Sequence, residues 1–315
     1  MEDCFFAAVD MGTNSFHMII ATLREDGSIK IIDREKQVIR LGSHKGVELS
    51  FISDEETELA IDVLSKFKRL ADSYGAKFRA VATSAVREAL NRREFIDKVQ
   101  LTAGITVEVI NGKDEASLIY LGAEKALTLA DKNVLCIDIG GGSTELINVD
   151  KTEVIFAESI KIGAVRLSKH FFPDYKLDPD RITRCSSFIE GLLEESIGKY
   201  SKLNFDLVVG TSGTIEALAS MILKKKKRKI PKSLNSESFS LSELKEISAV
   251  ILSAETTEKR LKLPGMEEKR ADIIPAGLLI LTKIFELFNI KQMKISAFAL
   301  REGIILEMIK KYGLS

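Results

Sequence analysis

Three short stretches of this chain carry the residue types that bind phosphate. They are Asp10-Met11-Gly12-Thr13-Asn14-Ser15, Asp138-Ile139-Gly140-Gly141-Gly142-Ser143-Thr144 and Gly210-Thr211-Ser212-Gly213-Thr214. In the first two, an aspartate closes an apolar run and glycines follow. Glycine lets the backbone turn tightly and approach a ligand closely. Successive N–H groups in such turns form an anion-binding concavity. Thr13, Asn14, Ser15, Ser143 and Thr144 add side-chain donors. The carboxylate of Asp138, and that of Asp10 at the matching place, could hold Mg²⁺ directly or through water beside bound phosphates. The third stretch lies between a strand and a helix, where free N–H groups attract anions, so Gly210, Thr211, Ser212 and Gly213 form a third candidate wall. One such turn alone reads as well as a hairpin or a helix cap. The repetition is what points to phosphate. No GxxxxGK[ST] sequence occurs, which excludes a P-loop. His17, His44 and His170 have no metal spacing, and His17, on a strand, reads as packed.

These turns need strands and helices to hold them. Phe5–Val9, Phe16–Leu23 and Ile29–Ile39 read as strands, with Asp26-Gly27 marking a hairpin. A helix follows over 54–73, with Leu59, Val63, Phe67 and Leu70 on one face and Ser53 and Glu56 as a capping box. Strand Phe78–Ala82, a helix near 91–102, strand Thr106–Ile110 and a helix over 113–128 come next. The pattern then restarts. Asn133–Ile139, Thr144–Val149 and Val154–Ile160 read as strands, and helices are expected at 163–171 and 179–200. Asp206–Val209 is a short strand, a helix begins after Gly213, and 224–238 reads as a loop. Helices at 241–252 and 268–288, a strand at 293–299 and a helix at 301–312 close the chain. Alternating strands and helices imply an α/β protein. The repeated strand, Asp-x-Gly turn and strand unit predicts two related domains with a boundary near residue 125 and a cleft between them.

Composition narrows the function classes. The chain has 315 residues, 45% hydrophobic and 29% charged, enough for two cores. Lys+Arg and Asp+Glu are both 46. A zero formal charge disfavours a globally basic nucleic-acid binder, so a polyanion site must be local. Cys4, Cys136 and Cys185 give neither a disulfide framework nor a zinc site, which suits reducing cytosol. No signal peptide or membrane span is visible, and a soluble, cytoplasmic protein without a membrane partner is expected. Lys224–Lys229 with Lys232 places seven basic residues in nine positions. This run reads as a solvated loop or as an electrostatic attractor for a polyphosphate chain.

Together these motifs resemble the exopolyphosphatase/guanosine pentaphosphate phosphohydrolase (Ppx/GppA) family of the actin-like superfold. The matching stretches are VDMGTNSFHMIIA at 9–21, ATSAVREA at 82–89, NGKDEASLIYLGA at 111–123, CIDIGGGSTELI at 136–147, GTSGTIEALA at 210–219, RADIIPAG at 270–277 and ALREGIILE at 299–307. The resemblance implies two actin-like (ribonuclease H-like) domains, 1–125 and 126–315, each a mixed sheet flanked by helices. The last helix, 301–315, would pack on the first domain. It implies Glu115 as the catalytic base that orients and deprotonates water, and Arg87 as the guanidinium that holds the terminal phosphoryl group. Asp138 and Glu145 would position Mg²⁺, with Mn²⁺ as an alternative and a monovalent cation as an addition. Ser143 would contact phosphate, and Arg301 and Glu302 would form a salt bridge or meet ligand. The sequence departs from the family at Lys232-Ser233-Leu234-Asn235, where many members carry a His-Gly pair. The helical extension of longer members lies outside the match, from which a preference for short polyphosphate is expected.

The leading expectation is an Mg²⁺-dependent exopolyphosphatase that releases orthophosphate. The close alternative removes the 5′ γ-phosphate of guanosine pentaphosphate. A kinase of the same superfold and a non-catalytic polyphosphate or (p)ppGpp sensor are the competing classes. A homodimer is implied by the family.

Overall fold

The computed structural model describes residues 4–45, 48–129, 132–151, 153–198 and 205–312. The elements run β1 (Phe5–Met11), β2 (Ser15–Leu23), β3 (Ile29–Val38), β4 (Ser43–Lys45), β5 (Glu48–Phe51), α1 (Asp54–Ser73), β6 (Lys77–Ala82), α2 (Ser84–Glu88), α3 (Arg92–Ala103), β7 (Val107–Val109) and α4 (Gly112–Leu127). There follow β8 (Asn133–Ile139), β9 (Thr144–Asp150), β10 (Glu153–Ile160), α5 (Ala164–Phe171), α6 (Pro179–Ile197), β11 (Leu207–Thr211), α7 (Ser212–Lys225), β12 (Ser238–Ser240), α8 (Leu241–Ser253), α9 (Thr257–Leu261), α10 (Ile274–Leu287), β13 (Gln292–Ile295) and α11 (Leu300–Lys311). They form two compact units, one of residues 1–122 with 298–315 and one of residues 123–297.

In the first unit the sheet order is β3-β2-β1-β6-β7. The first three strands are antiparallel, and β6 and β7 run parallel to β1. Alternation along the strands sends Val9, Met11, Phe16, Met18 and Ile20 into one core with Leu64 and Phe67 of α1 and Phe95 and Val99 of α3. Helix α11 packs on β1 and β2, and Phe6 of β1 meets Tyr312 at a ring distance of 5.9 Å. In the second unit the order is β10-β9-β8-β11-β13-β12. Its first five strands repeat the arrangement of the first sheet, and β12 adds an antiparallel edge. This is the ribonuclease H-like order, twice, as the resemblance to the family implies.

Local signals account for most of the element ends. Ser53 Oγ accepts from the Glu56 N–H at 3.1 Å and Glu56 Oε2 accepts from the Ser53 N–H at 2.8 Å, so the capping box is present. Five elements are absent from the sequence reading: β4, β5, α2, β12 and α9, each too short to show a period. The expected loop 224–238 ends in β12, because Ser238–Ser240 pairs with β13. The expected helix 268–288 starts only at Ile274, after a 3₁₀ turn over Glu268–Arg270. Pro275 sits in its first turn, the one place where a missing N–H costs nothing. Leu59 is exposed while Val63 and Phe67 are buried, so the apolar stripe of α1 is narrower than its spacing suggests. Positions 199 and 200 of the expected helix 179–200 lie outside the described residues, as does the side chain of His44. Among the described residues no helix is long and apolar enough to cross a membrane.

Two glycines let α4 and α11 touch backbone to backbone. A Cβ at Gly122 would stand 2.1 Å from the Ala299 carbonyl oxygen, and one at Gly303 would stand 1.9 Å from that of Leu118. This contact joins the NGKDEASLIYLGA and ALREGIILE stretches and fixes the helix that carries Glu115. Gly303→Ala is expected to cost about 1–3 kcal/mol, as overpacking of a dense contact does. The measurement is the urea midpoint, with an unchanged slope. A midpoint equal to that of the wild type would refute the close crossing.

Candidate functional site

The Gly140–Ser143 turn is held from behind by the start of α5. The Ala164 N–H donates to the Gly140 carbonyl at 3.0 Å, and the Val165 and Arg166 N–H groups donate to that of Gly141 at 2.9 and 3.0 Å. Arg166 Nε donates to the Gly142 carbonyl at 2.6 Å. All peptide bonds described are trans, so each N–H points opposite to the carbonyl preceding it. The N–H groups of Gly141, Gly142 and Ser143 therefore face away from α5, side by side. None has a partner among the described residues. Such a row of donors, a nest, could take an anion, and the orientation of each is set by a bond on its far side. Gly163 makes the approach feasible: a Cβ there would stand 2.4–2.5 Å from the backbone of Gly141 and Gly142.

Beside the nest, register builds a polar row across four strands. Asp138 of β8 lies directly opposite Glu145 of β9, Glu145 opposite Ser159 of β10, and Asp138 beside Thr211 of β11. Directly opposed residues share a sheet face. Side-chain contacts confirm this: Ser159 Oγ donates to Glu145 Oε1 at 2.7 Å, and Thr211 Oγ1 donates to Asp138 Oδ2. Asp138 and Glu145 are both buried. Two neighbouring buried carboxylates are costly as anions without a cation. Among the described residues no cluster of three or more metal-ligating side chains exists. Mg²⁺ needs none, because it is commonly held by one or two carboxylates, waters and substrate phosphates. The donor set fits that ion, and Asp138 and Glu145 are the side chains that could hold it.

The third stretch abuts this row. Ser212 adopts φ +83°, strained for a non-glycine residue. Its hydroxyl donates to the Ile139 carbonyl at 2.9 Å and so ties the start of α7 to the end of β8. Gly210 is packed against Met293 and Ile215, where a Cβ would meet Met293 Sδ at 2.3 Å. A Cβ on Gly213 would meet Arg270 Nη2 at 1.8 Å. The buried Arg270 guanidinium therefore lies on the first turn of α7, and its Nε is 3.3 Å from Glu267 Oε2. The loop bearing Arg270 is clamped by buried Arg260, which donates to the carbonyls of Ala271, Ala254 and Tyr175 at 2.5, 3.0 and 2.6 Å. A cationic fork on the positive end of a helix is a natural counterpart for an anion. Sequence reasoning gave Arg270 no role. The available signal was an arginine beginning RADIIPAG and a glycine opening a helix far upstream, with nothing local to join them.

In the first unit, the turn Gly12–Ser15 matches Gly140–Ser143 closely. A Cβ at Gly12 would stand 3.2 Å from the Ser15 carbonyl oxygen, and one at Gly140 would stand 3.1 Å from that of Ser143. Its supports differ. The Asn14 carbonyl accepts from the Ile39 and Arg40 N–H groups at 3.1 and 3.0 Å, and Thr13 Oγ1 meets Ser84 Oγ at 3.0 Å. Asp10 is opposed by His17, where Asp138 is opposed by Glu145. The carboxylate pair thus exists only on the second hairpin. His17 is packed but not idle: Arg301 Nη1 lies 3.2 Å from its Nδ1 and Ser15 Oγ lies 2.7 Å from its Nε2. Arginine only donates. The imidazole thus bridges the Arg301 guanidinium and the Ser15 hydroxyl. Arg301 pairs with His17 rather than with Glu302, whose Oε2 accepts from the Ala299 N–H at 2.9 Å.

Glu115 and Arg87 come together. Asn111 caps α4, its Oδ1 accepting from the Lys113 and Asp114 N–H groups at 2.9 and 3.0 Å. That cap turns Glu115 inward, where it is 5% exposed. Arg87, from α2, donates through Nη1 to Glu115 Oε2 at 2.7 Å and to the Ile110 carbonyl at 3.1 Å. Arg87 places a cation against a carboxylate that is almost closed off from solvent.

Two readings change. The hydroxyl of Thr144, expected on phosphate, donates to the Ile162 carbonyl at 2.6 Å and is buried, so it anchors the segment leading into α5. The basic run is partly neutralised: Lys225, Lys226 and Arg228 form ion pairs with Glu246, Glu243 and Glu237.

A model of the Ppx/GppA phosphatase family matches residues 19–312. Guanosine-5'-triphosphate,3'-diphosphate pyrophosphatases of Photobacterium profundum and Vibrio cholerae are each 33% identical over 97% of this chain. The chain spans 59% of the length of these curated relatives. A crystal structure of an exopolyphosphatase from Cytophaga hutchinsonii superposes with a TM-score of 0.87 at 30% identity and covers 98% of both chains. A Ppx/GppA family member from Aquifex aeolicus gives 0.81 at 29% identity and 99% coverage of both.

Gly163→Ala is expected to displace the glycine turn and weaken pyrophosphate binding in the presence of Mg²⁺ by on the order of tenfold or more, about 1.4 kcal/mol. Titration calorimetry measures it. Unchanged affinity would mean that the turn does not depend on this contact.

Proposed function

Because this chain belongs to the Ppx/GppA phosphatase family, we propose that it hydrolyses the terminal phosphoanhydride of inorganic polyphosphate and releases orthophosphate. The observation that carries this reading is the buried Glu115 carboxylate held by Arg87 at 2.7 Å. A protein that only binds phosphate has no need of a carboxylate placed beside a guanidinium. The exopolyphosphatase from Cytophaga hutchinsonii, aligned over nearly all of both chains, supports polyphosphate as the substrate. The 33% identity to guanosine-5'-triphosphate,3'-diphosphate pyrophosphatases favours the second reading, removal of the 5′ γ-phosphate of guanosine pentaphosphate.

Each group has one task. The N–H groups of Gly141, Gly142 and Ser143 hold phosphate oxygens of the tail. Gly12, Thr13, Asn14 and Ser15 offer the matching turn, with the Ser15 hydroxyl directed by His17. Glu115 orients a water and takes its proton as the water oxygen bonds to the terminal phosphorus and the bridging P–O bond breaks. The departing chain carries away the electron pair of that bond. Arg87 releases Ile110 and stabilises charge on the equatorial oxygens. Asp138 and Glu145 hold Mg²⁺, or Mn²⁺ in its place. What the cation supplies when bound is neutralisation of the phosphate charge. Most of the rate then comes from positioning and electrostatics.

The test is phosphate release with Mg²⁺ from tripolyphosphate, long polyphosphate and guanosine pentaphosphate. Glu115→Gln is expected to lower kcat by about 10²–10⁴-fold, the usual contribution of a general base, with KM little changed. The substrate with the highest kcat/KM decides between the two readings. Release undiminished in Glu115→Gln would remove it as the base, and no release from any substrate would favour a kinase or a sensor. Asp138→Asn is expected to raise the Mg²⁺ concentration for half-maximal rate by roughly tenfold, the loss of one charged ligand from a site of few. An unchanged Mg²⁺ dependence would rule out Asp138 as a holder of the ion.

A further inference from the structure

We infer that Arg166 is a positioning residue for the phosphate nest, acting through the Gly142 carbonyl on the Ser143 N–H; this rests on the proposed function. Arg166 touches no reacting atom. Its side chain is 1% exposed, beneath the turn and on the side opposite the nest donors.

Three of the four bonds that fix the nest come from backbone N–H groups of α5 and are indifferent to sequence. They reach Gly140 and Gly141 only. The Gly142 carbonyl, and with it the plane of the Gly142–Ser143 peptide, is held by the Arg166 Nε–H at 2.6 Å. Without that bond this last peptide has no donor behind it among the described residues. It would be free to turn, taking the Ser143 N–H out of line with those of Gly141 and Gly142. Glycine at 142 offers no side chain to resist the turn.

Arg166 also acts through charge. A cation bonded to a carbonyl polarises the peptide and strengthens the N–H on its other side as a donor. A guanidinium keeps its proton at every working pH. A fixed positive charge thus lies one peptide away from where phosphate oxygens bind. The first turn is built otherwise: its Asn14 carbonyl is held by the neutral backbone N–H groups of Ile39 and Arg40. The two copies of the motif are therefore unequal, and the stronger anion grip belongs to the turn that also carries the carboxylate pair.

The experiment reads tripolyphosphate binding by calorimetry with Mg²⁺ in a Glu115→Gln background, where turnover is suppressed. Thermal melts are recorded beside it. Arg166→Gln is expected to weaken binding by at least about tenfold, the size of one lost charge-assisted hydrogen bond. Arg166→Lys, which keeps the charge without the Nε–H, is expected to weaken it by a smaller factor. The Ser143 amide resonance in nitrogen-15 spectra is expected to move upfield in both. A variant that melts lower yet binds tripolyphosphate as the parent does would overturn the inference and leave Arg166 a purely structural residue. Should Arg166→Gln not fold, Arg166→Lys decides: parental affinity with an unmoved Ser143 amide refutes the inference. The hydrolysis reading fails separately. A wild-type protein that binds tripolyphosphate but releases no phosphate refutes that reading and leaves the Arg166 measurement intact.

Discussion

A peptide group is rigid and two-ended, so to hold its carbonyl is to aim the next N–H. The second unit depends on this constraint. Helix α5 secures three successive carbonyls of a glycine turn, two with backbone donors and one with Arg166, and three N–H groups are thereby set facing the opposite way. The turn can be glycine-rich and still rigid because its stiffness is borrowed from a helix. Gly163 is what permits that helix to come close enough. Donors arranged before an anion arrives need no reorganisation when it does.

The neighbouring carboxylates obey a second geometric rule. Asp138 and Glu145 are separated by a four-residue turn, and register across the hairpin places them opposite one another on one face. Thr211 and Ser159 complete the row from the flanking strands and satisfy one oxygen of each. Buried charge of one sign calls for charge of the other. On the proposed function, a divalent cation bound with phosphates would meet that demand without a three-ligand cage. In the first unit the same hairpin places His17 opposite Asp10 and spends the imidazole on orienting Ser15. One layout thus carries two different pairs: two carboxylates in the second unit, and a carboxylate and an imidazole in the first.

Glu115 and Arg87, the pair on which the proposed function rests, are held by contacts from two helices. The Asn111 cap begins α4 at the right residue, and the glycine contacts between α4 and α11 fix the helix in place. Burial raises the cost of an unpaired carboxylate, and Arg87 offsets it. On the proposed function, the arginine that pairs with Glu115 is also the group suited to a phosphoryl oxygen.

Much of this was readable from residues alone because it is local. Strand, turn and strand are adjacent in the chain, the Ser53 box spans four residues, and the two Asp-x-Gly turns announce themselves by repetition. The repeat and the alternation of strands with helices announce two α/β units, while the resemblance to the family supplies the order of their sheets. The start of α10 was legible too, in Pro275, though periodicity over 268–288 conceals it. What tertiary structure alone decided are meetings between distant parts of the chain: Arg87 with Glu115, Arg270 with Gly213, Arg166 with Gly142, and Arg301 with His17. It also decided that Thr144 faces the chain rather than a ligand, and that Lys225, Lys226 and Arg228 are paired. The physical reason is that a residue type specifies which bonds a side chain can make, whereas its partner is whatever the packed fold brings within about 3 Å of it. The chemistry this protein can do was written in its residue types, and the orientation of each group was settled by folding.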